Sequence, residues 1–199
     1  MKRWPYVYAL LVLLLSLWAG STTAQSIDTY FSPNGGAAAA VTAEIVHAKK
    51  SIRIQAYSIA QTDITAALIA AKLRGIDIAL IVDRHQQNDA YSTASKLKKA
   101  GISTTVDRAV ALAHNKTIVI DDTIVITGSM NFTDAGDRKN SENLLIIRDA
   151  TIAARYAADW TKRRATASTF APVHHDDYRP PTPPANLVLP PKPAHAQEP

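Results

Sequence analysis

The sequence predicts an α/β fold: a largely buried, mixed β-sheet sandwiched between helices. Three observations carry that expectation. Runs of strand length alternate along the chain with longer stretches whose apolar residues recur at helical spacing. Glycines and Pro/Asn/Gly breakers stand at the joints between them. One strand-like segment returns on itself after Asp121-Asp122, which adds an antiparallel pair to the alternating α and β elements.

Taken in order, a short strand is expected around Ile27 to Phe31, followed by the breaker Ser32-Pro33-Asn34-Gly35-Gly36. A helix then runs from Ala37 to Lys50, with Val41, Ile45 and Val46 at helical spacing. Ser51 to Tyr57 alternates Ile52, Ile54 and Ala56 against Arg53 and Gln55, the period of a half-buried strand. Thr62 and Asp63 cap a helix that reaches Arg74 and stops at Gly75, and Ile76 to Val82 is an apolar run of buried-strand length. A polar loop, Asp83 to Asp89, leads to a helix over Ser92 to Ala100 closed by Gly101, and then to a strand through Thr104 to Val106. Beyond the returning segment, Asn143 to Ile147 is a further strand. The last helix, Ala150 to Arg164, ends in Lys162-Arg163-Arg164, where the macrodipole favours cations.

The two ends of the 199-residue chain differ from this middle. Residues 1–24 have the form of an export signal, with Lys2 and Arg3, the twelve-residue apolar run Val7 to Trp18, and small residues up to Ala24. That run is short against the roughly 20 residues that span a bilayer, so the expectation is a cleaved signal, a periplasmic or secreted product and no stable membrane association afterwards. Residues 171–199 are rich in proline and read as a disordered tail. His174-His175-Asp176-Asp177 within it is a weak metal signal. Residues 25–170 form one domain, long enough for a core without covalent staples. The chain has no cysteine, which excludes a thiol nucleophile and a cysteine zinc site. The domain carries 18 Lys and Arg against 14 Asp and Glu, a mildly basic balance of +4 that permits a polyanionic partner.

The stretch HNKTIVIDDTIVITGSMN, His114 to Asn131, keeps its polar residues at its two ends. In a strand, His114 and Lys116 share a face. Thr117 to Ile120 enters the sheet, Asp121-Asp122 turns, and Thr123 to Thr127 returns, bringing Gly128, Ser129 and Asn131 beside His114 and Lys116. An imidazole, an ammonium, a hydroxyl and a carboxamide then converge on one rim. That set suits a phosphodiester, whose non-bridging oxygens need cationic and donor contacts as charge shifts in the transition state.

His114-x-Lys116, four residues, Asp121, six residues, Gly128-Ser129-x-Asn131 resembles the HKD signature of the phospholipase D superfamily. Six fixed positions match by chance at only about one starting point in 10⁸ at ordinary composition. The resemblance extends from Phe31-Ser32-Pro33 to Ser141-Glu142-Asn143 and is strongest to small exported bacterial endonucleases of the Nuc type, single domains with one motif per chain. It implies a phospholipase D/nuclease fold with a single HKD domain. His114 would be the nucleophile that forms a phosphohistidine, while Lys116, Ser129 and Asn131 hold the phosphate. Glu142 would orient the histidine through its other ring nitrogen. Asp121 and Gly128 would be supporting residues.

The resemblance also implies a homodimer, since family members generally use two such motifs and this chain has one. A two-fold axis would place both His114 side chains on one phosphodiester. No metal site and no cofactor are expected, because the chemistry is covalent and no carboxylate or histidine set with metal spacing lies near the motif. The expected function is thus a metal-independent, largely non-specific endonuclease acting on DNA and RNA phosphodiester bonds. The alternatives are a phospholipase D or phosphatidyltransferase, against which the small size argues, and an idle binding module, against which the intact motif argues. His47-Ala48-Lys49 repeats the H-x-K pattern without the rest of the motif, and His85 reads as a surface-loop histidine.

Overall fold

The computed structural model describes residues 25–87 and 92–171. The expected export signal, the tail from residue 172 onward and positions 88–91, which include the end of the polar loop, lie outside the described residues. The described chain runs β1 (Ser26–Ser32), α1 (Ala37–His47), β2 (Ser51–Ala56), α2 (Thr62–Leu73), β3 (Asp77–Asp83), a 3₁₀ turn (Arg84–Gln87), α3 (Thr93–Lys99) and β4 (Ser103–Asp107). It continues with β5 (Lys116–Ile120), β6 (Ile124–Gly128), α4 (Asp134–Arg138), β7 (Glu142–Arg148), α5 (Ala150–Thr166) and β8 (Ser168–Thr169). The strands form one sheet in the order β1-β7-β6-β5-β2-β3-β4-β8. Only β2–β3 and β3–β4 are parallel among them, so the sheet is mixed, as expected.

The strand alternation decides which helix covers which face. Ile54, Leu80, Ile118 and Ile126 point to one side, where Val41 and Ile45 of α1, Ile64 and Leu68 of α2 and Leu97 of α3 complete a fully buried cluster. On the other side, Val119, Val125 and Ile147 meet α5 through Ala153, Ile152 and Tyr156. At roughly 1.5–3 kcal/mol for each fully buried aliphatic side chain, these layers make the sheet a rigid platform. Helix α5 is also fastened by polar contacts: Trp160 Nε1 donates to Ile54 O at 2.9 Å, and Arg163 pairs with the fully buried Asp107. Arg164 donates to Thr105 Oγ1 and Ser103 Oγ, both at 2.7 Å. The basic helix end therefore staples α5 to β4, beyond its expected service to the macrodipole.

Three local differences have physical causes. Helix α1 stops at His47 rather than Lys50, because the N–H groups of Lys49 and Lys50 are taken by the Asp121 carboxylate. Helix α2 is capped by Gln61 rather than Thr62 or Asp63: the buried Gln61 side chain accepts from Ile64 N at 2.7 Å. β5 begins at Lys116, so His114 lies in the segment before the strand rather than on it. The hairpin turn is as expected, with Asp121 and Asp122 at φ 52° and 57°, the left-handed pair of a two-residue turn whose twist matches the strands.

Candidate active site

The carboxyl ends of parallel β2 and β3 share one edge of the sheet with the start of antiparallel β5 and the end of β6, by their registers. In α/β sheets that edge is where ligands bind. His114 is delivered there by a segment held on both sides. Ala113 N donates to Asp83 Oδ2 at 2.7 Å, and Asn115 O accepts from Tyr57 N at 2.9 Å. The exposed His114 ring lies on the Tyr57 ring, with centroids 4.6 Å apart. Lys116, only 7% exposed, places Nζ 3.1 and 3.2 Å from the two His114 ring nitrogens, 2.7 Å from His114 O and 5.2 Å from the Tyr57 centroid. Burial lowers the Lys116 pKa from its ordinary value, and the Glu142 charge pulls it partly back.

Across the hairpin, Ser129 Oγ donates to Glu142 Oε2 at 2.5 Å and accepts from Asn143 N at 3.0 Å. Glu142 Oε1 accepts from Asn140 Nδ2 at 3.0 Å. The carboxylate expected to orient His114 is thus bonded to Ser129 and Asn140 in this chain, and the ring's close polar partner is Lys116. Asn131 follows in a segment pinned by fully buried Phe132, whose carbonyl accepts from the N–H groups of Ala60 and Gln61. Its Oδ1 is buried without a hydrogen-bond partner among the described residues, a state that costs free energy until something bonds it.

The two supporting motif positions have structural roles. A Cβ on Gly128, at φ 156°, would sit 2.2 Å from Asn143 O, so only glycine lets β6 and β7 approach there. Asp121 lies at the opposite end of β5 from the rim, and its carboxylate accepts from Lys49 N, Lys50 N and Ser51 N at 2.7, 2.7 and 2.9 Å. Burial raises its pKa, but those N–H bonds outweigh the burial and leave the carboxyl below its ordinary value.

His114, Lys116 and Ser129 open onto a cleft of about 560 Å³ between the sheet rim and α5, lined also by Gln55, Arg155 and Tyr156. Such a constellation, a ring nitrogen beside an ammonium and a hydroxyl, can bind and attack a phosphodiester. Residues 41–163 match the family described as "Cardiolipin synthase, PLD-like domain". The chain belongs to the phospholipase D superfamily. A protein named "Phospholipase D" from Rickettsia felis is 39% identical over 142 residues, 71% of this chain and 71% of that protein. "Mitochondrial cardiolipin hydrolase" of Xenopus tropicalis is 26% identical over 118 residues, 59% of this chain and 56% of that protein. Among solved structures, Nuc from Salmonella typhimurium, a phospholipase D family member, superimposes with a TM-score of 0.70 at 33% identity, covering 74% of this chain and 99% of Nuc. NucT from Helicobacter pylori shares the fold, with a TM-score of 0.69 at 23% identity over 74% of this chain and 100% of NucT.

Within this phospholipase D superfamily phosphodiesterase, the sequence reading missed Tyr57 and Asp83 and undervalued His85. Asp83 is fully buried; it accepts from Ala113 N and His85 N, and its Oδ1 also bonds the His85 ring. Burial raises the Asp83 pKa, yet the His85 and Ala113 N–H bonds hold it below the ordinary carboxylate value. The His85 ring is 6.4 Å from Tyr57, so this exposed loop histidine stands beside the rim. The available signal was position: Asp83 ends β3, and Tyr57 directly follows the last residue of the neighbouring β2, both at carboxyl ends.

Proposed function

We propose that this phosphodiesterase is an exported nuclease that cleaves nucleic-acid phosphodiester bonds through a phosphohistidine, without a metal. The observation that carries the nucleic-acid reading is the cleft lining, which contains no Val, Leu, Ile, Met or Phe and presents amides, hydroxyls, a guanidinium and a single carboxylate, Asp159, beside His114. That surface suits sugar, base edge and phosphate. The likeness to Nuc, which this chain matches over 99% of Nuc's length, and the single motif favour the same reading.

In the proposed reaction the incoming phosphate exchanges with the His114 ring for the Lys116 ammonium, which frees a ring nitrogen. Ser129 turns its hydroxyl proton from Glu142 to the other non-bridging oxygen, to which the Asn131 amide Nδ2 also donates. The His114 nitrogen forms a bond to phosphorus as the bond to the leaving oxygen breaks, and that oxygen takes a proton from His114 of a second copy in a two-fold dimer. The second imidazole, now neutral, takes a proton from water. The water oxygen bonds to phosphorus, the P–N bond breaks and His114 is restored. Glu142 holds the Ser129 hydroxyl until substrate arrives and balances the Lys116 charge.

A second reading, hydrolysis of phospholipid phosphodiesters, is favoured by Leu112, 44% exposed in a neighbouring cleft of about 230 Å³ that also reaches His114. The two are separated by incubating residues 25–199 in EDTA with plasmid DNA and, in parallel, with phosphatidylcholine vesicles. Nicked and linear plasmid with intact vesicles is expected; released choline with intact plasmid would replace the first reading by the second.

A further inference from the structure

We propose that the smaller cleft beside His114, about 230 Å³ between the segment Val110 to Ala113 and α5, is a guanine subsite in which Asp159 accepts from the N1–H and 2-amino groups of a base next to the scissile phosphate. This rests on the nuclease reading and adds base selectivity to it. Two clefts flank the nucleophile, and His114, Asn115, Gln55 and Asp159 line both of them. Asp159 thus stands on the wall that carries the reacting imidazole, and a base bonded to it belongs to a nucleotide adjoining the cut.

A carboxylate at that place repels the phosphates of a polyanionic strand. Nothing in the chain neutralises it: exposed Asp159 makes no hydrogen bond or ion pair among the described residues, and the cation of the same cleft, Arg163, is committed to Asp107. Asp159 therefore favours a substrate only where that substrate offers it N–H or O–H donors. On the same wall, Gln55 is 4% exposed; its Oε1 accepts from Asn115 Nδ2 at 3.2 Å, and its Nε2 donates to nothing among the described residues. The wall offers one amide donor and a pair of carboxylate acceptors. Guanine presents the complement along one edge, the O6 acceptor followed by the N1–H and 2-amino donors. On that edge adenine and cytosine give a single amino donor beside ring acceptors, and thymine and uracil a single N–H between two carbonyls.

The rest of the cleft suits a flat base. Val110, Leu112 and Ala113 give it an apolar wall, to which Leu112 contributes an exposed side chain. That wall is preformed: Arg84 Nη2 donates to Val110 O and Ala111 O at 2.5 and 3.0 Å, and Asp83 holds Ala113 N. A base packing there gains apolar contact without ordering a loop.

The test uses wild-type and Asp159→Asn proteins in EDTA with end-labelled thymidine oligonucleotides whose one central base is guanine, hypoxanthine, 7-deazaguanine or adenine, and with the RNA versions in parallel. Cuts beside the central residue compete with cuts in the flanks, so the band ratio reads relative kcat/KM within one tube. Wild type is expected to cut beside guanine about 30-fold more often than beside adenine, the discrimination of a good bidentate base contact. Hypoxanthine, which lacks the 2-amino group, should lose about tenfold, whereas 7-deazaguanine keeps O6, N1 and N2 and should match guanine. Asp159→Asn should bring the guanine-to-adenine ratio to within about threefold of one, because an amide accepts on its oxygen alone. A ratio near one in wild type, hypoxanthine cut as well as guanine, or a preference that survives in Asp159→Asn would each overturn the assignment. So would cleavage indifferent to the base but faster on RNA than on DNA, which would put the ribose 2′-hydroxyl on Asp159. Cleavage without base preference removes this inference alone; wild type that cuts none of the strands removes the nuclease reading with it.

Discussion

Replacing Asp121 by asparagine separates the architecture of the motif from its chemistry. Asparagine tolerates the left-handed φ of 52° at this position, so the turn itself survives. What is lost is a charge that accepts from three backbone N–H groups at 2.7, 2.7 and 2.9 Å, with an amide NH₂ now facing some of those donors. Hydrogen bonds to a charged group contribute about 1.5–3 kcal/mol each, and three sharing one partly exposed carboxylate are not additive, so a loss of about 2–3 kcal/mol is expected. For a domain of this size that is a fall of roughly 6–12 °C in Tm. Because the native pKa lies below the ordinary 3.8, the stabilisation is complete above pH 3.8 and disappears as pH falls through the lower native value. The gap between wild type and Asp121→Asn should therefore stay constant from neutral pH down to about 4 and close below it. Urea unfolding across pH, with kcat measured at 25 °C on the folded fraction, is the assay. A variant of unchanged stability that has lost its activity would refute the structural role and place Asp121 in the chemistry.

The other expectations are briefer. Gly128→Ala must move β7 away from a Cβ 2.2 Å from Asn143 O, and a loss of about 2–4 kcal/mol in urea unfolding is expected from overpacking and backbone strain. Lys116→Met should lower kcat/KM by about 10²–10³ through lost transition-state stabilisation. Burial disfavours the Lys116 charge, so the same variant should unfold no earlier than wild type at neutral pH. DNA cleavage should persist in millimolar EDTA; activity that EDTA abolishes and Mg²⁺ restores would contradict the covalent mechanism. If the active site is shared, an equal mixture of wild-type and His114→Ala chains, unfolded and refolded together, should retain about a quarter of wild-type activity rather than half.

The mixed sheet was legible because its strands repeat every second residue and its helices every third or fourth, and tertiary packing then agreed with both periods. Sequence reasoning placed the hairpin correctly from Asp121-Asp122, since two turn residues between β-branched runs leave few alternatives. It could not place the end of α1, because the acceptor that halts it, Asp121, is some seventy positions away. The same limit applies at the rim. The joining of His114, Lys116 and Ser129 followed from the motif's spacing and the place of Glu142 from the resemblance, but Asp83 and Tyr57 act through contacts across strands that no local pattern records. Glu142 shows the difference between a matched position and a bonded partner: its place in the sequence pointed to His114, and its carboxylate meets Ser129.

The most direct test of the account is to trap the covalent step. DNA labelled with ³²P at internal phosphates is mixed with excess enzyme in EDTA, quenched in alkali within a single turnover, and separated from protein under denaturing conditions. The account predicts label on the protein that survives alkali, is released by mild acid as expected of a phosphoramidate, and is missing in His114→Ala. Full DNA cleavage with no labelled protein at any quench time, or label that persists in His114→Ala, would contradict it.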